Sequence, residues 1–289
     1  MILCADDYGI SPSVSRGIVE LVDRGRVSAT SCMVTGSANL EQQMSEIAAR
    51  REIVDVGLHL TLTDNMPLTD GLTVKSGLVE ATGRFLRFGQ LLTNCYLKRI
   101  DPELLRQEVM AQLTYFFELV GAWPTHIDGH QHVQQLPMIR EALVEVCRQT
   151  LDSKFYVRSG CFAPRWLFNQ DLYSDMRNGS FLIASQSIGL VRLLRDHGVA
   201  HNRYLLGYYS YEGRHAFGEV LSRYARLGPD GDDILFTHPG YVDEELKRKD
   251  GVTGERLNNL EYLMGPSLGE ELERHGLTIN RFRSWQALG

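Results

Sequence analysis

Short apolar runs alternate with amphipathic stretches over most of this 289-residue chain, and this alternation limits the folds that are open to it. Residues 2–5 have the composition of a buried strand, and Val14, Ile18 and Leu21 then lie on one face of a predicted helix. Further strands are predicted at 30–35, 54–60, 126–128, 155–158, 204–206, 234–237 and 277–282, and further helices at 105–120, 139–146 and 216–224. Strands that alternate with helices indicate an α/β fold with a parallel sheet, either open or closed into a barrel.

The chain shows no internal repeat and no low-complexity linker, so we expect a single catalytic domain over residues 1–289. Two stretches with weak periodicity, 63–100 and 159–187, are predicted to be irregular insertions. Long irregular segments in a compact domain are often lids or binding loops, which makes both stretches candidates for substrate contacts. Surface insertions without a role are an equally good explanation for either one alone.

Composition narrows the range of partners. The formal net charge is −6 and lysine and arginine do not cluster, which argues against a nucleic-acid partner. No stretch reaches the roughly 20 apolar residues that a membrane span requires, so no membrane partner is expected. The first residues lack the pattern of a signal peptide, and five scattered cysteines without a CxxC pair fit reduced thiols. We therefore expect a cytoplasmic protein.

Aspartate and histidine residues follow four of the predicted strands. They are Asp6 and Asp7, then His59, then Asp128 with His130 and His132, and finally His238. The carboxyl ends of parallel strands share one face of the sheet, and in such folds that face carries the active site. Four separate segments are thus predicted to bring acidic and imidazole side chains to one place.

Most of these segments have an ordinary structural explanation when they are taken singly. Asp6 and Asp7 could form a turn or a helix cap, and a lone histidine such as His59 in an apolar run is more often a core residue. His238 and Pro239 could form a polar loop. Three histidines and one carboxylate within residues 126–132 are harder to explain by packing, so at least one is a predicted metal ligand. The outer histidines could orient such a ligand through hydrogen bonds.

Two adjacent carboxylates can serve one site only if the chain turns, because side chains alternate between the faces of a strand. Gly9 permits such a turn after Asp6 and Asp7. One acid would then bind a metal ion and the other would move a proton. A set of two imidazoles and one carboxylate leaves coordination positions open for water and substrate, as in catalytic metal sites.

Four motifs in this chain occur together and in a characteristic order. They are Ala5-Asp6-Asp7-Tyr8-Gly9, Gly57-Leu58-His59-Leu60-Thr61, Pro124-Thr125-His126-Ile127-Asp128-Gly129-His130-Gln131-His132 and Thr237-His238-Pro239-Gly240. As a set they resemble the YdjC-like family of carbohydrate deacetylases, which includes chitooligosaccharide deacetylases and a hopanoid-biosynthesis branch. The resemblance extends from the first strand to about Tyr241. It implies a distorted (β/α) barrel with its active site at the carboxyl ends of the strands, a divalent metal ion, and hydrolysis of the acetamido group of a sugar.

The resemblance also implies roles for individual residues. Asp7, His59 and His130 match the metal ligands, Asp6 matches the general base, and His238 matches a late histidine that acts as an acid or stabilises the oxyanion. The family implies Mg²⁺ and a homodimer. The donor set by itself suits Zn²⁺ or Mn²⁺ better than Mg²⁺.

Four further residues are weaker candidates for contacts with ligands or substrate. We expect Asp128 to orient a neighbouring histidine, and Arg158 to line a sugar pocket together with the tyrosines of residues 207–211. Ordinary barrel packing explains those tyrosines equally well. Tyr8 stands where the family commonly has Phe, and His132-Val133 is followed by Gln134 where the family commonly has another histidine.

Two other functions are compatible with these residues. The first is a metal-dependent hydrolase of another amide or ester, such as a lipid-linked or nucleotide-linked substrate. A phosphoesterase of this kind would use cationic side chains, and the four motifs contain no arginine or lysine. The second is a non-catalytic sugar-binding protein, which the presence of both Asp6 and His238 disfavours.

Overall fold

The computed structural model describes residues 1–151, 155–163, 166, 180–209, 216–229 and 231–282. In these residues one sheet of parallel strands is surrounded by helices, which confirms the predicted α/β fold. The strands are β1 (Ile2–Tyr8), β2 (Ala29–Cys32), β3 (Asp55–Leu60), β4 (Ile127–Gly129), β5 (Leu205–Leu206) and β6 (Ile234–Thr237). The helices are α1 (Pro12–Asp23), α2 (Leu40–Ala48), α3 (Phe88–Tyr96), α4 (Pro102–Val120), α5 (Ile139–Thr150), α6 (Ser180–Asp196), α7 (Phe217–Ala225), α8 (Glu244–Lys249), α9 (Gly254–Met264) and α10 (Ser267–Arg274).

The sheet curls towards closure. Its strand order is β4-β3-β2-β1-β6-β5, and the chain from 155 to 161 lies between the two edges. On one side the backbone N–H of Arg158 donates to the carbonyl of Ile127 in β4, at 2.9 Å. On the other side the N–H of Leu205 in β5 donates to the carbonyl of Cys161, at 2.6 Å. The strand predicted here is present only as isolated bridges, and the result is a distorted barrel.

The side chains of β1 point alternately into the barrel and out towards the helices. Ile2 and Cys4 pack into an inner apolar cluster, whereas Leu3 and Ala5 pack into the larger cluster beneath the helices. Side chains two residues apart share a face of a strand. Asp6 continues the inner series, so ordinary strand geometry directs its carboxylate to the barrel interior.

Helix α4 illustrates how local sequence sets the element bounds. Asp101 caps its first turn by accepting hydrogen bonds from the N–H groups of Glu103, at 2.9 Å, and Leu104, at 3.2 Å. A cap of this kind contributes about 1 kcal/mol. Gly121 ends the helix in the left-handed conformation, with φ 71°, before the chain reaches β4. The helix predicted at 105–120 is thus confirmed and begins one turn earlier.

The last predicted strand, 277–282, is wrong. This segment instead crosses the end of the barrel where β1 and β3 begin. The N–H of Asn280 donates to the carbonyl of Met1, at 2.8 Å, and Arg281 pairs with Asp55, at 2.9 Å. Phe282 enters the inner apolar cluster and closes that end of the barrel. The apolar side chains of this segment cover the end of the barrel, and its backbone does not join the sheet.

The first predicted insertion, 63–100, is more regular than expected, since it contains α3 and a short 3-10 helix (Val74–Ser76). It is anchored by Glu108, a buried side chain on α4, which accepts hydrogen bonds from the N–H groups of Leu68, at 3.1 Å, and Thr69, at 2.8 Å. In the second predicted insertion, 159–187, residues 164–165 and 167–179 lie outside the described part of the chain, and α6 begins at 180.

Within the described residues, no helix combines the length and the apolar character needed to cross a membrane.

Candidate active site

The three predicted metal ligands lie together at the carboxyl ends of the strands. One oxygen of Asp7, Oδ1, lies 3.0 Å from Nε2 of His59 and 3.1 Å from Nδ1 of His130. The ligand atoms of the three residues all lie within 4.8 Å of one another. One carboxylate and two imidazoles at this spacing could hold a divalent metal ion, and the donor set fits such an ion.

Within the described part of the chain two further clusters of potential ligands lie nearby, one of which shares His59 with this site. They are Asp6 with His59 and Asp128, and Cys4 with His126 and Asp128. In both, Asp128 already faces a guanidinium group, because Nη1 of Arg158 lies 3.0 Å from its Oδ2. Arg256 likewise contacts Oδ2 of Asp7, but Oδ1 of Asp7 still faces both imidazoles, whereas both oxygens of Asp6 accept from Arg158. Burial raises the pKa of the Cys4 thiol, which disfavours the thiolate that binds metal. Asp7, His59 and His130 thus form the best candidate metal site.

Asp7, near the end of β1, has an unusual backbone conformation that directs its side chain into the site. Its φ is 67°, in the left-handed region that non-glycine residues rarely adopt, and the β1–β2 register shifts between Ala5 and Tyr8. Gly9 follows with φ 87°, and a Cβ atom there would lie 2.6 Å from the carbonyl oxygen of Met33. The predicted turn is thus present, but it begins at Asp7 itself and Gly9 completes it. Strain of this kind is concentrated at functional sites.

Hydrogen bonds behind His59 fix the orientation of its ring. Nδ1 lies 2.6 Å from Oδ1 of Asp128 and 3.1 Å from the hydroxyl of Ser31. Asp128 therefore does orient a histidine, as expected, and leaves Nε2 directed at Asp7. Burial lowers the pKa of His59, but Asp128 and Asp7 raise it more strongly, to about 10. The two carboxylates thus favour a positive charge at this imidazole.

Arg158 holds the predicted general base. Its Nη1 and Nη2 atoms donate to the two oxygens of Asp6, at 2.7 and 2.6 Å, and the arginine is fully buried. Burial by itself would raise the pKa of Asp6, yet the guanidinium holds the pKa well below its usual value. Arg158 does border the cavity, as predicted, but its guanidinium is paired with Asp6 and Asp128.

His238 approaches the second oxygen of Asp7. Its Nε2 lies 3.8 Å from Oδ2, and its side chain is 19% exposed towards the cavity. The ring meets Phe236 edge-on, with 5.6 Å between the ring centroids. Burial lowers the pKa of His238 against the opposing charge of Asp7. His238 thus joins Asp6, Asp7, His59 and His130 in one site.

The remaining two candidates differ in position. His132 borders the cavity, with its ring against Tyr208 and Phe236, and burial lowers its pKa to about 3. Tyr8 is fully buried, and its hydroxyl donates to the backbone carbonyl of Gln43. The structure does not bring Tyr8 to the cavity, because Tyr8 lies beyond the strained residue Asp7 and faces the outer core.

The candidate catalytic and metal-binding side chains line a cavity of about 870 Å³, namely those of Asp6, Asp7, His59, His130 and His238. Tyr208, Tyr209 and Phe236 form an aromatic wall, and residues 210–211 of the predicted tyrosine segment lie outside the described residues. Asp64 and Arg87, both from the insertion 63–100, also line the cavity. That insertion thus does reach the site, as predicted.

Buried carboxylates and guanidinium groups are paired beneath the cavity. Four carboxylates, those of Asp6, Asp7, Asp128 and Asp250, lie against the two buried guanidinium groups of Arg158 and Arg256. Each arginine contacts two of these carboxylates, so the side chains of the site hold one another in place.

Sequence reasoning missed Ser31, Arg256 and Asn259. Arg256 contacts Oδ2 of Asp7 at 2.6 Å, and Asn259 accepts from the N–H of His238 at 3.4 Å. Arg256 and Asn259 are three residues apart on α9, so they share one helix face. They lie beyond the last recognised motif, and no local pattern marks them.

The fold and the site together define an α/β barrel protein with a candidate metal centre at the carboxyl ends of its strands. The family model for YdjC-like protein matches residues 1–274, and the chain belongs to this family. A carbohydrate deacetylase of Mus musculus is 29% identical in an alignment that covers 96% of this chain and 92% of the relative. A chitooligosaccharide deacetylase of Enterobacter sp. (strain 638) is 28% identical, covering 98% of this chain and 97% of the relative.

A solved structure supports the fold. It is that of an Enterococcus faecalis V583 protein named as a candidate cellobiose-phosphate cleavage protein. The two structures superpose with a TM-score of 0.76 at 21% identity, over 98% of this chain and 97% of the other. The predicted barrel and the predicted family are both confirmed.

Proposed function

We propose that this protein is a metal-dependent hydrolase that removes the N-acetyl group from an amino sugar or oligosaccharide. The convergence of Asp7, His59 and His130 on the cavity floor, beside the carboxylate of Asp6, carries this proposal. The names of the relatives from mouse and Enterobacter support the reaction class. A small acetylated sugar is therefore the proposed partner.

Asp7, His59 and His130 would hold one divalent ion. When bound, such an ion polarises a carbonyl group and lowers the pKa of water. Family membership favours Mg²⁺, whereas two imidazoles and one carboxylate favour Zn²⁺ or Mn²⁺.

Asp6 and His238 would move the protons. Asp6 accepts a proton from the attacking water, while Arg158 and Ser31 hold its carboxylate in place, the hydroxyl of Ser31 lying 3.2 Å from Oδ1. His238 approaches Asp7 from the other side and would donate a hydrogen bond to the acetyl oxygen as negative charge develops. Either His238 or protonated Asp6 would then give a proton to the departing amine.

Two arginines from outside the motifs bear on the alternative of a phosphoesterase. The motifs contain no cationic residue, yet Arg158 and Arg256 reach the cavity floor from outside them. Each of these arginines already contacts two carboxylates, so neither charge is free for a phosphate group. Arg87 and Lys249 also line the cavity, and assay with a sugar phosphomonoester tests whether they serve a phosphate group. Hydrolysis of another amide or ester is the remaining alternative.

Product analysis distinguishes these reactions. The protein would be incubated with N-acetylglucosamine, short chitooligosaccharides, an O-acetylated sugar and a sugar phosphomonoester, and the products would be identified by mass spectrometry. Loss of acetyl from an N-acetylated sugar supports the proposal. Loss of acetyl from the ester alone, or release of phosphate, contradicts it. The cytoplasmic location and the homodimer stay predictions.

A further inference from the structure

Arg256 is a buried cation in the candidate active site that no motif identifies. It lies in the first turn of α9 and is 1% exposed. Its Nη2 atom contacts Oδ2 of Asp7 at 2.6 Å and Oδ2 of Asp250 at 2.5 Å. A single guanidinium nitrogen thus links one candidate metal ligand to a second carboxylate.

The two oxygens of Asp7 have different partners. Oδ1 faces the two imidazoles, at 3.0 Å from His59 and 3.1 Å from His130. Oδ2 faces Arg256, with His238 further away at 3.8 Å. A partial rotation of the carboxylate would break the contact of Oδ2 with Arg256 and move Oδ1 away from the two imidazoles. Only one oxygen is therefore presented to the candidate metal site.

Further contacts hold Arg256 itself. Its Nε donates to the carbonyl of Val252, at 3.0 Å, and its own carbonyl accepts from the N–H of Gly240, at 3.0 Å. Asp250 also accepts from the N–H of Val252, at 2.9 Å. The guanidinium is thus fixed at two of its nitrogens, and its backbone is tied to the loop that carries His238.

We infer that Arg256 is a positioning residue, which fixes the rotation of Asp7 so that Oδ1 alone serves the metal site. This inference rests on the proposed function. It differs from a purely electrostatic role, because a positive charge next to a metal ligand would by itself weaken the binding of a cation. Two nitrogens of the guanidinium supply the positioning, because Nη2 contacts Asp7 and Asp250 while Nε donates to the carbonyl of Val252. A lysine keeps the charge but carries it on a single nitrogen, so it lacks the second, rigidly placed donor.

Two substitutions of Arg256 distinguish the effect of its geometry from the effect of its charge. Arg256→Lys keeps the positive charge and loses the second, rigidly placed nitrogen donor, whereas Arg256→Gln loses the charge as well. Arg281→Lys is the matched control, because Arg281 also pairs with a buried aspartate, Asp55, but at the opposite end of the barrel. Affinities of metal-stripped protein for Mn²⁺ and Zn²⁺ would be measured by calorimetry without substrate, and kcat and KM would be measured with an N-acetylated sugar.

The positioning role predicts that Arg256→Lys binds Mn²⁺ or Zn²⁺ about 10- to 100-fold more weakly than wild type, as is usual when a partner of a metal ligand is lost. Its kcat falls as well while KM changes little, and Arg281→Lys binds metal normally. Wild-type affinity in Arg256→Lys, with tighter binding in Arg256→Gln, indicates a charge effect and overturns the inference.

The remaining outcomes are also decisive. Failure of both Arg256 variants to fold, judged by circular dichroism, makes the residue structural and overturns the inference. A wild-type protein that binds neither metal overturns it too. A wild-type protein that binds metal but releases no acetate contradicts the proposed function alone, since the comparison of affinities still tests Arg256.

Discussion

Arg158 holds both carboxylate oxygens of Asp6, at 2.7 and 2.6 Å, although the two residues are 152 positions apart in the chain. The same guanidinium lies 3.0 Å from Asp128, which in turn orients His59. One buried arginine therefore connects the proposed base to a partner of the metal site. Its charge also keeps Asp6 ionised, as a proton acceptor must be.

Replacement of the proposed base tests its role directly. Asp6→Asn keeps the shape of the side chain but cannot accept a proton, so we expect kcat to fall by about 100- to 10,000-fold. Metal content should stay at the wild-type level, because Asp6 is not a proposed ligand. Acetate release and elemental analysis measure the two properties. Asp23→Asn, at a surface ion pair with Arg50, is the control and should stay active. Normal turnover by Asp6→Asn would rule out Asp6 as the base.

Removal of the guanidinium should destabilise the fold. Arg158→Met leaves Asp6 and Asp128 buried without their common counterion, and breaking such a buried pair costs about 3–5 kcal/mol. Urea denaturation gives the change in the free energy of unfolding. Arg50→Met, which removes a surface ion pair with Asp23, should cost less than about 1 kcal/mol. Equal effects of the two substitutions would show that the buried pairs do not contribute as described.

The hydrogen bond behind His59 should affect metal affinity. Asp128→Asn removes the charge that faces Nδ1 of His59 while it keeps the size of the side chain. We expect binding of Mn²⁺ or Zn²⁺ to weaken by about 10- to 100-fold, measured by calorimetry. Ser31→Ala removes a longer contact with the same nitrogen and should have a smaller effect. Unchanged affinity in Asp128→Asn would mean that Asp128 does not support His59.

His126 should make folding sensitive to acid. Burial lowers its pKa from 6.5 to about 4, and Asp128 only partly offsets this effect. Between these pH values the unfolded chain binds a proton that the folded protein does not, so stability falls as pH falls through this range. The loss approaches about 3 kcal/mol by pH 4. His126→Gln lacks this loss, so its stability relative to wild type should rise between pH 7 and pH 4 in urea denaturation. A constant difference between the two proteins would contradict the assignment.

The position of the site could be predicted because parallel strands deliver their carboxyl ends to one face. Asp6 and His59 lie on the inner face by strand alternation alone. The bend that adds Asp7 was also expected, although the strained residue is Asp7 itself, with φ 67°. Tyr8, which lies beyond that bend, faces the outer core, and its adjacency to the aspartates in sequence was misleading.

The partners of the site could not be predicted. Arg158 reaches Asp6 across 152 positions and Arg256 reaches Asp7 across 249, so neither contact leaves a local pattern in the sequence. The segment 277–282 has the apolar composition of a strand, but in the structure it plugs the barrel end. Helix α3 was also missed, because residues 63–100 show little helical periodicity and the helix buries only Leu91 and Cys95.

Metal-dependent acetate release is the most direct test of the proposed reaction. Metal-stripped wild-type protein would be assayed with a short chitooligosaccharide before and after addition of Mg²⁺, Zn²⁺ or Mn²⁺, beside a His59→Ala variant. We predict no release from stripped protein, restored release with at least one ion, and none from His59→Ala with any ion. Release that is equal with and without metal, or that persists in His59→Ala, would contradict a metal-dependent deacetylase built on Asp7, His59 and His130.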